Sequence, residues 1–178
     1  IAIDLETTGL SPMVDHIVEI GALKILPDSI EKFQALVRPP TPIPERTIKI
    51  HGISNQMVEN SPSIQDIFSQ FLEFWGELPL VAHNAQFDSG HIIASAFKHQ
   101  FSLPPVKIYC SCKFSRKVFL EMKNHKLATL IESLNISIDN HHRAFDDALA
   151  CLRVYAQGIM KAGENKLKIE ELNKLSYQ

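Results

Sequence analysis

The spacing of hydrophobic positions along this chain marks its elements. Ile1 to Glu6 alternates Ile1, Ile3 and Leu5 with Ala2, Asp4 and Glu6, so a predicted strand carries two acids on one face. Ile17 to Leu26 and Ile30 to Val37 flank the turn residues Pro27-Asp28-Ser29, which predicts an antiparallel hairpin. A proline-rich loop follows at Pro39, Pro40, Pro42 and Pro44. After Ser61-Pro62-Ser63, a helix start, Ile64, Ile67, Phe68, Phe71, Leu72 and Trp75 fall at helical spacing. The short apolar runs Leu80 to Ala82 and Val106 to Tyr109 predict buried strands. Phe87 to His99, Ser111 to Met122, Leu127 to Leu134 and Arg143 to Met160 predict helices, and a polar segment from Glu164 is a helix or tail. Three strands followed by alternating helices and short strands predict an α/β architecture, a mixed sheet covered by helices. Ligands of such sheets sit at strand ends, where Asp4 and Glu6 would lie.

Composition narrows the class. The chain has 178 residues, 45% hydrophobic and 21% charged, enough for one domain with a sizeable core. A formal charge of -2 gives no global basic field. It does not exclude nucleic acid, because a local acidic cluster can mask basic residues elsewhere. The cysteines Cys110, Cys112 and Cys151 form neither a disulfide framework nor a zinc site. A reduced, cytoplasmic location is expected. No apolar run reaches transmembrane length and no signal peptide is visible, so no membrane partner is expected. The chain starts inside a strand without a methionine, which leaves open that it is a piece of a longer protein.

Three groups of residues carry candidate chemistry. Asp4 and Glu6 repel one another and are costly near a core; a divalent cation between them removes that cost. The alternative is an edge strand with a solvated acidic face. Asp88, in His83-Asn84-Ala85-Gln86-Phe87-Asp88, sits in a predicted first helical turn. It either complements the helix dipole there or points back over the sheet end toward Asp4. In His141-His142-Arg143-Ala144-Phe145-Asp146-Asp147-Ala148, each histidine has an aspartate five positions on. The expected core stripe of this helix is Phe145, Ala148, Leu149, Leu152, Ala156 and Ile159. Asp147 shares a small apolar stripe with Ala144, Cys151 and Val154, whereas Asp146 lies beside Ala150 and Arg153 and reads as more solvated. His142 and Asp147 are therefore the chosen pair; the alternative is a capped, exposed helix start.

Asp4-Leu5-Glu6-Thr7-Thr8-Gly9, His83 to Asp88 and His142 to Ala148 together resemble the three motifs of the DEDDh, or DnaQ-like, 3′-5′ exonucleases. All three occur in order, with every functional position filled, across roughly residues 1 to 160. The resemblance implies a ribonuclease-H-like fold with a mixed five-stranded sheet. It divides the chain into an exonuclease domain over 1–162 and a C-terminal helix or tail over 163–178. Among members it is most similar to bacterial proofreading domains of the DNA polymerase III epsilon kind, an impression to which His51-Gly52-Ile53 adds.

The resemblance implies that Asp4, Glu6, Asp88 and Asp147 hold two Mg²⁺ ions, with Mn²⁺ able to substitute, and that Asp4 bridges them. Hard oxygen ligands suit these ions. His142 would take the attacking water's proton, and a nucleoside 5′-monophosphate would leave. Thr7, Thr8 and Leu10 match the positions that hold the terminal nucleotide. Asn84 bonds substrate or braces the site, Phe87 stacks a base or fills the core, and His51 contacts the nucleotide or is an exposed loop residue. Lys113, Arg116, Lys117, Lys123 and Lys126 read as a backbone-tracking patch or as a solvated charged face. The expected partners are single-stranded DNA or frayed 3′ ends, with RNA possible, and a DNA polymerase subunit. An exoribonuclease or oligoribonuclease of the same superfamily is the alternative enzyme. A non-catalytic module binding nucleic acid or a polymerase is the remote one.

Overall fold

A computed structural model describes residues 1–138 and 142–164. A single sheet contains β1 (Ala2–Thr7), β2 (Ile17–Ile25), β3 (Ile30–Leu36), β4 (Leu80–Ala82) and β5 (Ile108–Cys110), in the order β3-β2-β1-β4-β5. β1 and β3 pair antiparallel with β2; β4 pairs parallel with β1 and with β5. The hairpin and β4 lie where the sequence pattern predicts them, and β5 begins at Ile108 and ends at Cys110, later than the expected Val106 to Tyr109. β1, with its two acids, is the central strand.

The helices are α1 (Glu45–His51), α2 (Asn55–Val58), α3 (Ile64–Trp75), α4 (Gln86–His99), α5 (Ser111–Val118), α6 (Leu127–Ser133) and α7 (Ala144–Glu164). On one face of the sheet, Ile3, Leu5, Ile20 and Ala22 pack against Phe68, Phe71 and Trp75 of α3 and Ile92 and Ala96 of α4. α7 covers the other face, and α5 and α6 pack against α7. α3 begins as its sequence predicts: the Ser63 N–H donates to Asp66 Oδ2 at 3.2 Å, satisfying an otherwise orphaned helix-start donor.

α1 and α2 replace part of the predicted proline-rich loop. Pro44, with φ fixed at -64°, starts α1, and Gly52 ends it in the left-handed conformation at φ 73°. Ser54 then caps α2 by accepting from the Met57 N–H. Neither helix has the length that makes periodicity readable. The polar segment expected from Glu164 begins as the last residue of α7; the remainder of the tail lies outside the described residues.

The expected core stripe of α7 is displaced. Ala144, Asp147, Ala148, Ala150, Cys151, Val154, Gly158 and Ala162 are its buried positions, while Ala156 and Ile159 are exposed. Small side chains face the sheet because the helix approaches it closely. At Gly21 of β2, a Cβ would stand 2.2 Å from the Ala144 carbonyl carbon and the Phe145 nitrogen. Gly21→Ala should therefore push the start of α7 off the sheet. The expected cost is about 3 kcal/mol, the upper end for overpacking, or a fall in Tm of roughly 6–12 °C for a domain of this size. Thermal unfolding followed by circular dichroism checks it.

Candidate active site

β1 presents Asp4 and Glu6 to α7, and α7 returns Asp147 from its first turn. One carboxylate oxygen from each of the three lies within 4.8 Å of the others. Asp88 comes from the first turn of α4, is 1% exposed, and its Oδ1 has no hydrogen-bond partner. Its charge acts on Asp4 more strongly than that of Glu6 or Asp147. The structure thus brings all four predicted acids together, with three in a tight triad and Asp88 beside Asp4.

Burial pushes the Asp4 carboxyl well above its usual range, and repulsion from Asp88, Glu6, Asp147 and Glu19 adds to it. Burial, then Asp147 and Glu19, raise Glu6 to about 8. Burial raises Asp88, opposed by its own backbone and that of Leu5. Such a cluster is stable only with protons or cations. The donors are carboxylate oxygens, and Asp88 Oδ1 is an unused buried acceptor; both fit a hard divalent cation. Cys151, four residues after Asp147, is fully buried and burial pushes its thiol up, so it offers no thiolate to a softer metal.

Two supporting groups were not legible as site residues. Glu19 of β2 sits opposite Glu6 in the register and is 0% exposed. It accepts from Arg143 Nε at 3.1 Å, from Arg143 Nη2 at 2.6 Å and from the Ala144 N–H at 3.1 Å. Gln34 Nε2 donates to it as well, at 3.1 Å. Glu19 therefore caps α7 from 125 residues away in sequence and fixes the segment that carries His142 and Asp147. The available signal was one acid in the otherwise apolar Ile17-Val18-Glu19-Ile20-Gly21.

His83 carries the second group. Its Nε2 lies 2.9 Å from the His125 carbonyl, which can only accept, so Nε2 holds the proton. Its Nδ1, 2.8 Å from Ser111 Oγ, must then accept from that hydroxyl. Cys151 Sγ in turn donates to Ser111 Oγ at 3.3 Å. This directed chain ties the end of β4 to α5 and α7. Burial lowers the His83 pKa to about 4, which keeps the required neutral ring.

The other predicted residues are placed as follows. His142 is exposed in the left-handed conformation at φ 62°, a geometry histidine adopts more readily than bulky residues. His141 lies outside the described residues. The Thr7 hydroxyl donates to the Gly9 carbonyl at 2.6 Å. The Thr8 hydroxyl accepts from the His16 N–H at 2.9 Å and donates to Asp15 at 3.3 Å, so both threonines brace the turn after β1. Leu10 stands 84% exposed at its tip. His51 is the last residue of α1 rather than a loop residue. It is 4% exposed, its Nδ1 accepts from the Ile53 N–H at 3.0 Å, and its Nε2 has no partner. Asn84 is exposed at φ 67°. Phe87 is half-buried, with its ring 4.5 Å from that of His91.

This sheet, with its acids gathered at the central strand, defines a ribonuclease-H-like nuclease domain. The exonuclease family model RNase_T matches residues 1–155. The chain is 37% identical over 175 residues to a PolC-type DNA polymerase III of Caldanaerobacter subterraneus subsp. tengcongensis, covering 97% of this chain and 12% of that one. It is 37% identical over 177 residues to the PolC-type DNA polymerase III of Thermotoga petrophila, covering 97% and 13%. Exonuclease X in complex with 5′ overhanging duplex DNA superposes with a TM-score of 0.69 at 26% identity, over 97% of this chain and 96% of that one. The chain belongs to the RNase_T exonuclease family, whose DEDDh members depend on divalent metal. It spans about an eighth of the length of the curated polymerases it matches. Among the described residues, no helix is long and apolar enough to cross a membrane.

Proposed function

We propose that this chain is a 3′-5′ exonuclease that removes nucleoside 5′-monophosphates from DNA 3′ ends, in proofreading or repair beside a DNA polymerase. The carrying observation is the carboxylate cage: Asp4, Glu6 and Asp147 within 4.8 Å, with buried Asp88 beside them. A module that merely binds nucleic acid gains nothing from so costly a cluster.

Asp4, Glu6, Asp88 and Asp147 would hold two Mg²⁺ ions, for which Mn²⁺ substitutes. When bound, the ions neutralise charge on the phosphate and lower the pKa of the attacking water. Binding such ions would displace the protons that burial and repulsion otherwise hold on Asp4 and Glu6. A ring nitrogen of His142 accepts the water's proton, and exposure lets that proton pass to solvent. The turn braced by Thr7 and Thr8 presents backbone and Leu10 to the terminal nucleotide. His51 Nε2, buried without a partner, and exposed Asn84 supply further polar contacts, and Phe87 lines the approach. Chain organisation follows the same reading, with an exonuclease domain over 1–162 and a C-terminal helix or tail over 163–178.

Matched 20-nucleotide DNA and RNA strands, labelled at either end, provide the test. The expected result is stepwise loss from the 3′ end, dependent on Mg²⁺ or Mn²⁺ and abolished by chelation, with DNA preferred. Internal cuts, release from the 5′ end or activity in chelator would overturn the reading. An RNA preference would replace proofreading by RNA trimming.

A further inference from the structure

The cage holds the end of a strand; the rest of the strand needs a surface of its own. Lys113, Arg116, Lys117, Lys123 and Lys126 fall within fourteen positions along α5 and the loop into α6, and all five are exposed. The same stretch has one acid, Glu121, which pairs with Lys161 at 3.3 Å. None of the five pairs with a carboxylate among the described residues. In a chain of net charge -2, this strip is a local reversal of sign.

The strip is built onto the catalytic scaffold. β5 runs directly into α5, and Ala82 of β4 pairs with Cys110 of β5. α5 thus starts two strand spacings from β1, roughly 10 Å. The His125 carbonyl accepts from His83 at 2.9 Å and from Cys112 Sγ at 3.4 Å, and the His125 ring meets Ser115 Oγ at 3.1 Å. The Lys126 N–H donates to Asn124 Oδ1 at 3.0 Å. The charge of Arg116 is felt at both His83 and His125. Lys113, Arg116 and Lys117 therefore stand on α5, and Lys123 and Lys126 on a loop pinned through His125 to the segment that delivers Asn84 and Asp88. Leu120, 78% exposed among them, offers an apolar contact to an unstacked base. Among the described residues of the strip there is no exposed aromatic, so the surface suits a backbone rather than a sequence.

We propose that the surface formed by Lys113, Arg116, Lys117, Lys123 and Lys126 carries the phosphodiester backbone of a single strand on the 5′ side of the bond being cut. The role on the 5′ side rests on the exonuclease reading; the affinity for single strands does not. The partner is defined by its repeating phosphates, shared by DNA and RNA, and the acidic face of a protein is the competing occupant.

The experiment compares the protein with Lys113→Gln/Arg116→Gln/Lys117→Gln by fluorescence anisotropy. Labelled 20-nucleotide oligo(dT), 20-nucleotide oligo(U) and a trinucleotide are titrated in chelator across a salt series, so binding is read without turnover. For both 20-mers, the triple variant should raise Kd about tenfold and flatten the slope of log Kd against log salt by about 2, since each phosphate contact contributes roughly 0.7–1. Trinucleotide Kd should change far less. Lys32→Gln, on the edge strand β3, is the charge control. Unchanged slopes for both 20-mers overturn the proposal and leave the strip to an acidic protein partner. An effect on one sugar alone also overturns it, because a backbone track does not read the 2′ position. Normal flattening in a protein that releases no nucleotide overturns the exonuclease reading and the 5′-side role, while retaining a single-strand surface.

Discussion

Asp4→Asn is expected to lower nucleotide release by more than about 100-fold and, in chelator, to raise the thermal stability of the protein. Loss of a group supporting a ligand typically costs 10- to 100-fold in metal affinity or activity, so loss of a carboxylate that would itself hold the metal costs at least the upper figure. The stability gain has a separate cause. Asp4 is half-buried beside Asp88, Glu6, Asp147 and Glu19, and its amide isostere carries no charge for them to repel. Glu6 shows the pH sign. Its pKa rises from 4.5 unfolded to about 8 folded, so the folded state binds a proton more tightly. That contribution is fully present below pH 4.5 and is lost as pH rises through 8. The metal-free Tm should therefore fall between pH 5 and pH 8, and Glu6→Gln should flatten the fall. Saturating divalent cation should reverse the ranking: at 100 times Kd it stabilises the wild-type protein by about 2.7 kcal/mol, roughly 5–11 °C. Scanning calorimetry at several pH values, with metal and with chelator, measures all of this. A metal-free Asp4→Asn protein less stable than wild type at pH 8 would show that the acids do not strain one another.

Asp4, Glu6 and Asp147 were legible in sequence because each rests on a local rule, whereas the local reading of Asp88 stayed open and the family resemblance joined it to them. Asp4 and Glu6 share a face through the two-residue strand period, and Asp147 was chosen over Asp146 by helical spacing from Ala144, Cys151 and Val154. Burial supports that choice: Asp147 is 9% exposed, while Asp146 is half-buried. The paired strands followed from alternation and the Pro27-Asp28-Ser29 turn. What escaped was long-range or too short. Glu19 meets Arg143 across 124 positions, and no local pattern encodes that contact. α1 and α2 are seven and four residues long, below the reach of periodicity. The inward face of α7 departs from the stripe that its large apolar residues predict. Gly21 and Gly158 instead allow backbone and the Phe114 ring to approach, so its small residues turn inward.

Arg143→Met is expected to destabilise the protein by about 3–5 kcal/mol, the cost of stranding a buried charge when its partly exposed partner is removed. At this size that is a Tm loss of roughly 6–20 °C. The partner left behind is Glu19, fully buried, with only the Gln34 amide and the Ala144 N–H still donating to it. Glu19→Leu/Arg143→Leu should cost less than Arg143→Met alone, because it strands no charge. The opposite ranking would mean that the side chains pack more than they pair. Catalysis should separate further from folding. At temperatures where Arg143→Met remains folded, kcat should fall with little change in KM, because the lost clamp sets His142 and Asp147 rather than strand affinity. The pH response should invert that of the cage. Burial alone would raise Glu19, but Arg143, Gln34 and the Ala144 N–H outweigh it and hold the carboxyl below 4.5. Its stabilising contribution is present above 4.5 and is lost as pH falls through the folded value. Glu6 and Glu19 are thus cross-strand partners with opposite pH signs. The difference lies in what stands against them at the start of α7: Asp147 of its first turn beside Glu6, and Arg143, the residue before the helix, beside Glu19.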